Sequence, residues 1–256
     1  MAPHPRPRPD LDDLRARIAL IERAGRGGAG RAALPFGAAA IDARLPGGGL
    51  ALGALHEASG AGPDLAHAAA AALFAAGVLA RLRGPVLWCL ARRDLFAPAL
   101  AGAGLHPNRV LYAEAGDEAA VLAVAEEALR HRGLAGVVAE VTRLGLAPSR
   151  RLQLAAERSG VLALALRRWR RPDQPPADGA TAAATRWRVA ALPSTPLGAG
   201  TPGVGRPRWR LELLRCRGGD PCDWTVEACD GAGRLRVVAD LAHRSAAPPA
   251  ARRVAG

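Results

Sequence analysis

Between residues 54 and 166, short apolar runs alternate with longer segments whose apolar residues have helical spacing. The runs at 54–58, 85–90, 109–113, 136–141 and 161–166 predict β-strands, and the segments at 64–82, 95–103, 117–131 and 149–159 predict helices. Strands that alternate with helices are typical of a parallel sheet with helices on both faces. The pattern therefore predicts an α/β fold with a mostly parallel, twisted sheet.

The pattern changes after residue 166. Further runs at 185–192, 208–216, 224–229 and 235–238 follow one another without helices between them. Apolar and polar residues alternate in 208–216, as in a half-buried strand, and Asp230-Gly231 favours a tight turn into the last run. We expect these runs to extend the sheet with antiparallel strands at its C-terminal end.

Two tryptophans in these later runs, Trp187 and Trp209, each stand between two arginines. Neighbouring residues of a strand point to opposite faces of the sheet. We therefore predict that both indoles lie in the core, on the opposite face of the sheet from the flanking arginines; the alternative is that both clusters extend the basic surface.

The N-terminal part has a helical pattern of its own. Residues 11–24 carry apolar side chains at Leu11, Leu14, Ile18 and Ile21, a spacing that predicts one amphipathic helix. This helix either packs on the core or binds a partner, and the sequence leaves both interpretations open. We predict three regions, namely a flexible leader (1–33), one α/β domain (34–242) and a disordered tail (243–256).

Composition adds a strong charge imbalance to this picture. All 35 basic residues are arginine, and with 23 acidic residues the net charge is +12. Such an excess favours a polyanionic partner, foremost nucleic acid, over a merely solvated basic surface. Residues 1–10 contain no apolar signal segment and no apolar run is long enough to span a bilayer, so we expect a cytoplasmic protein without a membrane partner.

Cysteine spacing gives no indication of a metal site. Cys216, Cys222 and Cys229 lack the close pair, two to four residues apart, that zinc sites use. We predict no metal, even with His243 considered as a fourth ligand.

The segment after the first predicted strand, called the 59–67 loop below, has the position of a phosphate-binding loop. It consists of Ser59, Gly60, Ala61, Gly62, Pro63, Asp64, Leu65, Ala66 and His67. A phosphate-binding loop of this kind needs a lysine that reaches the phosphates and a Ser or Thr hydroxyl that binds Mg²⁺. Ala66 and His67 occupy those two places, and Asp64 adds a negative charge. We therefore predict a degenerate nucleotide site.

The segment Arg167-Arg168-Trp169-Arg170-Arg171 places four arginines around one indole. Arginines neutralise phosphates and tryptophan stacks on unpaired bases, so the segment is a candidate for contact with single-stranded DNA. The alternative is that Trp169 covers the end of the sheet while the arginines are solvated. His56 and Glu57 could form a general base, but with no nucleophile in the sequence a structural role is the better interpretation.

Several stretches resemble known proteins. Ile41 to Leu50, with its Gly47-Gly48-Gly49 run, and Gly53 to Glu57 resemble the segment before the phosphate loop in RecA-type recombinases. Within that group the chain resembles the ImuA family of bacterial damage-induced mutagenesis from about Leu34 to Asp240, most specifically at 92–98 (Arg-Arg-Asp-Leu-Phe-Ala-Pro) and 214–219 (Leu-Arg-Cys-Arg-Gly-Gly).

The resemblance implies a RecA-like fold and an accessory role. ImuA proteins act with an ImuB-like Y-family polymerase paralogue and an alternative replicative-type DNA polymerase to copy damaged DNA in the SOS response, at the nucleoid; RecA and single-stranded DNA are further candidate partners. Active relatives end the fourth strand with a Mg²⁺-binding Asp, where this chain has Glu140.

The resemblance and the missing lysine together predict no ATPase activity, no catalytic residues and no required cofactor. Weak ATP binding through Arg92 or Arg93 stays open. Two other functions also stay open at this point, a SulA-type inhibitor of cell division and an active RecA-like ATPase.

Overall fold

The computed structural model describes residues 32–173, 179–195, 197 and 201–238. In these residues the elements are β1 (Ala33–Leu34), α1 (Ala39–Asp42), β2 (Leu50–Ala51), β3 (Leu55–Gly60), α2 (Asp64–Ala80), β4 (Val86–Leu90), α3 (Ala97–Gly102), β5 (Val110–Glu114), α4 (Glu118–Ala128), β6 (Gly136–Val141), α5 (Leu146–Ser159), β7 (Leu162–Arg167), β8 (Thr185–Leu192), β9 (Arg208–Cys216), β10 (Cys222–Glu227) and β11 (Arg236–Val237). Short 3₁₀ turns lie at Pro46–Gly48 and Pro107–Arg109.

One nine-stranded sheet organises the described residues, in the order β11-β10-β9-β8-β3-β7-β6-β4-β5. The six strands from β8 to β5 pair in parallel, and β9, β10 and β11 continue the sheet antiparallel. This arrangement confirms the predicted α/β fold with a mostly parallel sheet and antiparallel strands at its C-terminal end. A separate antiparallel pair joins β1 to β2.

The side chains of the central strands alternate between two apolar cores because successive residues of a strand face opposite ways. Val138 and Leu164 belong to the core that contains α2, whereas Val137 and Ala163 belong to the core that contains α4 and α5. Helices therefore cover both faces of the sheet, as the alternating pattern predicts.

Aromatic residues concentrate in the first of these cores. The ring centroids of Phe36 and Phe74 lie 5.4 and 5.7 Å from that of Trp187, and the ring of Trp224 lies 6.1 Å from it. Trp187 and Trp209 are 1% and 2% exposed, so both predicted core positions are confirmed. Through this aromatic cluster, the start of the domain at Phe36 packs against α2 and against strands β8 and β10.

Element boundaries depart from the sequence prediction by up to three residues. Helix α4 ends at Ala128 rather than at residue 131, β10 spans Cys222–Glu227 rather than 224–229, and α5 begins at Leu146 rather than at residue 149. Pro148 lies in the first turn, where its missing N–H leaves no hydrogen bond of the helix unmade. The pair β1–β2 and helix α1 were not predicted, because two to four residues are too few to show a period.

The predicted leader helix, with Leu11, Leu14, Ile18 and Ile21, lies outside the described residues, and so do His243 and the predicted tail at 243–256. Among the described helices, none combines the length and the apolar character needed to cross a bilayer.

Candidate functional site

The 59–67 loop connects the carboxyl end of β3 to the first turns of α2. Two of its glycines pack against His67: a Cβ on Gly60 would lie 2.8 Å from the His67 Cβ, and one on Gly62 would lie 2.9 Å from its Cδ2. His67 Nδ1 in turn accepts a hydrogen bond of 3.2 Å from the backbone N–H of Ala191 in β8. The residue in the place of the Mg²⁺-binding hydroxyl therefore holds the loop against the sheet.

The backbone of the loop makes contacts that a phosphate would have to replace. The N–H of Ala61 donates to the carbonyl of Val189 at 3.0 Å, and the N–H of Asp64 donates to the carbonyl of Trp169 at 2.8 Å. Pro63 between them has no N–H to offer. A phosphate cradle depends on such donors pointing at the ligand, so the loop is poorly suited to an anion.

Beside the loop lies a group of charged side chains, which we call the Arg168 cluster: Asp64, Asp94, Glu140, Arg168 and Arg170. Arg168 Nε donates to Asp64 Oδ2 at 2.8 Å, and its Nη1 donates to Glu140 Oε2 at 2.5 Å and to Asp94 Oδ1 at 3.2 Å. Arg170 Nη1 reaches Asp94 Oδ2 at 2.5 Å. The carboxylates come from the loop, from the segment after β4 and from β6, and one guanidinium joins them.

The Arg168 cluster is largely closed to solvent. The side chain of Glu140 is 0% exposed and that of Arg168 is 11% exposed. The second oxygen of Glu140 accepts a 2.7 Å hydrogen bond from the indole N–H of Trp88. Glu140, the residue in the metal-binding place, thus has both oxygens engaged by protein groups.

Electrostatics within the cluster favour the charged forms. Burial lowers the pKa of Arg168, but Glu140, Asp64 and Asp94 outweigh it and raise that pKa above its ordinary value. Burial raises the pKa of Asp94, and Arg168 and Arg170 outweigh this and hold it below its usual range. Arg168 therefore remains positively charged inside the protein, next to the 59–67 loop. The loop itself contains no lysine.

A second buried ion pair lies one residue earlier on β7. Arg167 Nη1 donates to Glu57 Oε2 at 3.2 Å, and the side chains of both residues are at most 5% exposed. Arg186 Nε lies 3.2 Å from the same oxygen, and the Thr181 hydroxyl donates to the other oxygen of Glu57. Glu57 is therefore part of the packing of the sheet.

His56 does not form a pair with Glu57, because the two are neighbours on β3 and face opposite ways. Its Nε2 donates to the carbonyl of Ala51 at 2.9 Å, so its Nδ1 accepts from the hydroxyl of Thr185 at 2.7 Å. Burial lowers the pKa of His56 to about 4. A neutral, fully bonded histidine of this kind serves the structure, in agreement with the interpretation preferred from the sequence.

The structure corrects the predicted DNA contact at Arg167 and Arg168. Both guanidinium groups are buried in the ion pairs described above, so they do not face solvent. The backbone N–H of Trp169 donates to Asp64 Oδ1 at 2.8 Å, and its indole N–H is buried without a hydrogen-bond partner among the described residues. Arg170 is partly exposed and Arg171 is exposed.

Arg170 and Arg171 line a depression of about 310 Å³ together with Arg92, at the carboxyl ends of the parallel strands. The acids in its wall, Asp117 and Glu118, accept hydrogen bonds from backbone N–H groups of α4 and of the segment after β6. With three arginines and two acids, the lining of this depression carries a net positive charge. Of the five residues predicted to contact single-stranded DNA, Arg170 and Arg171 lie at this edge, and their contact with DNA stays a prediction.

The arrangement of Arg168 is the feature that the sequence did not predict. Its partners at positions 64, 94 and 140 are distant along the chain, and an arginine beside three others suggests a solvated surface. The available signal was its place directly after the buried strand β7, whose six residues are all buried.

In the part of the chain that the structure describes, no group of three or more His, Cys, Asp or Glu side chains could hold a metal ion. Burial raises the pKa of the Cys229 thiol to about 12, so this thiol is far from the thiolate form that binds metals.

Comparison with known proteins gives two kinds of similarity. The chain is 42% identical over 232 residues to Protein ImuA from each of two strains of Caulobacter vibrioides, a match that covers 86% of this chain and 95% of the relatives. The crystal structure of the RadB recombinase superposes with a TM-score of 0.56 at 18% identity and covers 80% of this chain and 99% of RadB. No family model matches the sequence.

Proposed function

The chain belongs to the ImuA family, and from this premise we propose that it is a non-catalytic accessory protein of damage-induced mutagenesis, built on a RecA-like fold. It acts in error-prone translesion synthesis under the SOS response. Its partners are an ImuB-like Y-family polymerase paralogue and an alternative replicative-type DNA polymerase, with RecA and single-stranded DNA as further candidates.

The observation that carries the non-catalytic part of the proposal is the Arg168 cluster. Phosphoryl transfer requires a positioned metal, a cation on the phosphates and a positioned nucleophile. Here the 59–67 loop has no lysine, its amides at Ala61 and Asp64 are bound to the sheet and to Trp169, and Glu140 is bound to Arg168. These contacts support a protein that uses the fold for binding and not for ATP turnover.

The basic edge at Arg92, Arg170 and Arg171 supports contact with single-stranded DNA. It lies at the carboxyl ends of the parallel strands, which is the usual position for ligands of open α/β sheets. The net charge of +12 favours the same class of partner.

Induced mutation frequency after DNA damage tests the role directly. The strains are a deletion mutant of the natural host, the same mutant with the wild-type protein restored, and one with an Arg92→Ala/Arg171→Ala variant. We expect mutagenesis to be lost in the deletion, restored by the wild type and reduced with the variant. Unchanged mutagenesis in the deletion would overturn the proposal, and filamentous growth on overexpression would then favour a division inhibitor.

Steady-state ATP hydrolysis tests the non-catalytic part. Purified protein, with and without single-stranded DNA and Mg²⁺, should show no turnover above a buffer control. Turnover that disappears in Glu140→Gln, while circular dichroism shows that the variant is folded, would refute this part and favour a RecA-like ATPase.

A further inference from the structure

The first half of α2 has an apolar side that no described residue covers. The helix is apolar almost all round, a composition that normally belongs to a helix buried on every side. Its second half is buried. In the first half, Leu65 is fully exposed, and Ala66 and Ala69 are exposed as well. Across from Leu65, at the start of α3, Phe96 is 71% exposed.

Between these two helices lies a groove of about 490 Å³, which we call the apolar groove. Its walls are almost entirely apolar, and the charged side chains of Asp64, Asp94 and Arg168 close one end. The α2 wall consists mostly of small residues, so large side chains from elsewhere can enter it; the apolar lining residues are Leu65, Ala68, Ala69, Ala72, Leu73, Leu95, Phe96, Ala99 and Leu100. An exposed apolar surface rimmed by polar groups is the usual mark of a binding site.

The sequence supplies one amphipathic segment that suits this surface, residues 11–24. Its apolar side chains at Leu11, Leu14, Ile18 and Ile21 form one stripe if the segment is helical. The segment carries three arginines and three acids, so it is neutral in a chain whose net charge is +12. A neutral helix is a poor ligand for DNA phosphates and a suitable one for a groove whose walls are apolar.

The point where the chain enters the described structure is compatible with this occupant. The carbonyl of Ala32 accepts a hydrogen bond from the N–H of Leu52, and the ring of Phe36 stacks on that of Phe74 with centroids 6.0 Å apart. Phe74 directly follows Leu73, a residue of the groove. Residues 25–31 can extend over roughly 23 Å, and this reach limits how far from Ala32 the helix can end.

We propose that residues 11–24 form a helix that lies in the apolar groove of their own chain, with Leu14, Ile18 and Ile21 against its walls. A short connection of this kind gives the helix an effective concentration in the millimolar range at the groove. Binding within the chain therefore takes precedence over binding to a second copy or to a partner protein.

Disulfide cross-linking of the full chain tests the position of the helix. The test variant is Ile18→Cys/Ala69→Cys, which pairs the apolar stripe with the groove wall. The matched control is Ala16→Cys/Ala69→Cys, because position 16 lies on the opposite side of the same helix, and Ile18→Cys alone shows any reaction with the native cysteines. Under mild oxidation we expect the test variant to form an internal disulfide in a monomer, at least about fivefold faster than the control.

Each other outcome overturns the proposal. A disulfide-linked dimer would place the helix on a second copy, equal rates in test and control would show random collision, and no disulfide would leave the groove to a partner protein.

Amide hydrogen exchange provides a second readout that needs no cysteine. In the wild type, the amides of residues 11–24 should be protected, and Ala69→Glu should speed their exchange about tenfold or more because a carboxylate enters the groove. Leu154→Glu adds the same charge at an exposed apolar position of α5, on the other face of the sheet, and should leave their exchange unchanged. Equal exchange in wild type and Ala69→Glu would contradict the proposal.

Discussion

The guanidinium of Arg168 makes ionic contacts with carboxylates from three separate parts of the chain, and solvent reaches little of this group. A buried charge of this kind is stable only while its partners remain, because water cannot replace them. Arg168 and Glu140 therefore depend on each other at the scale of single residues.

Removal of the Arg168 charge should destabilise the protein strongly. For Arg168→Met we expect the free energy of unfolding to fall by about 3–5 kcal/mol, because Glu140 would keep a buried charge without its ionic partner. Urea denaturation followed by circular dichroism measures the change. Arg132→Met, at an exposed arginine, should stay within about 0.5 kcal/mol of the wild type. Equal losses in both variants would contradict the structural role of the cluster.

His56 should make the stability of the protein depend on pH. Its pKa is about 4 in the folded state, against 6.5 for an unperturbed histidine, so the unfolded chain binds the proton first as the pH falls. The stabilisation is complete above about pH 6.5 and is lost as the pH falls to about 4, with a total of about 3 kcal/mol. Carboxyl groups with lowered pKa, such as Asp94, act below this window.

Urea titrations at pH 7.5, 6 and 5 check this dependence. The wild type should lose stability steadily as the pH falls across this series. His56→Gln, which has no titratable side chain at position 56, should lose much less. His131→Gln, at an exposed histidine, is the control and should follow the wild type. The same slope in wild type and His56→Gln would exclude His56 as the cause.

At the scale of elements, the regular spacing of apolar residues predicts most of the strands and helices. The strands Gly136–Val141, Thr185–Leu192 and Arg208–Cys216 have the predicted bounds, because each is long enough to show its period and ends at a change of composition. The short pair β1–β2 has no period to detect. The start of α5 was misplaced because Pro148 suggests a boundary, although proline is tolerated in a first turn.

The contact between α2 and the segment after β10 leads to a prediction about Gly77. Alanine is the better helix former by about 1 kcal/mol, yet Gly77→Ala should destabilise the protein by about 1–3 kcal/mol, since its Cβ would overlap Cys229 Sγ. Thermal and urea unfolding measure the loss. Removal of the sulfur in Gly77→Ala/Cys229→Ala should recover part of it relative to Cys229→Ala alone. An increase in stability in Gly77→Ala would show that the two elements do not pack this closely.

At the scale of the whole molecule, charge is distributed unevenly over its elements. Arginines inside the sheet are matched by buried acids, as with Arg167 and Glu57, whereas Arg92 and Arg171 are exposed at the carboxyl edge. The sequence predicts the fold class and the degenerate loop, because these rest on local patterns. It does not predict which arginines are internal, because this depends on acids that come together only in the folded chain.

Binding of single-stranded DNA should depend on the carboxyl edge in particular. For Arg92→Ala/Arg171→Ala we expect weaker binding and a salt dependence, log K against log salt, that is shallower by about 1.4, since two phosphate contacts are lost at about 0.7 each. Fluorescence anisotropy with a labelled oligonucleotide at several salt concentrations measures both.

The control for this measurement also removes two arginines, but at the opposite edge of the sheet. Arg132 precedes β6 and donates to the carbonyl of Arg158 at the end of α5, so Arg132→Ala/Arg158→Ala changes the amino edge. This variant should keep the wild-type slope. Equal effects of the two double variants would mean that DNA senses only the total charge.

The Arg168 cluster also affects which substitutions this protein can accept in the 59–67 loop. A lysine introduced at position 66 would stand two residues from Asp64, whose carboxylate is already bound to Arg168. Removal of Arg168 first would leave a buried negative charge and an unstable chain. If the proposed non-catalytic function is right, neither change alone would create a nucleotide site, and the same ion pairs that stabilise the fold also oppose the formation of a phosphate-binding loop.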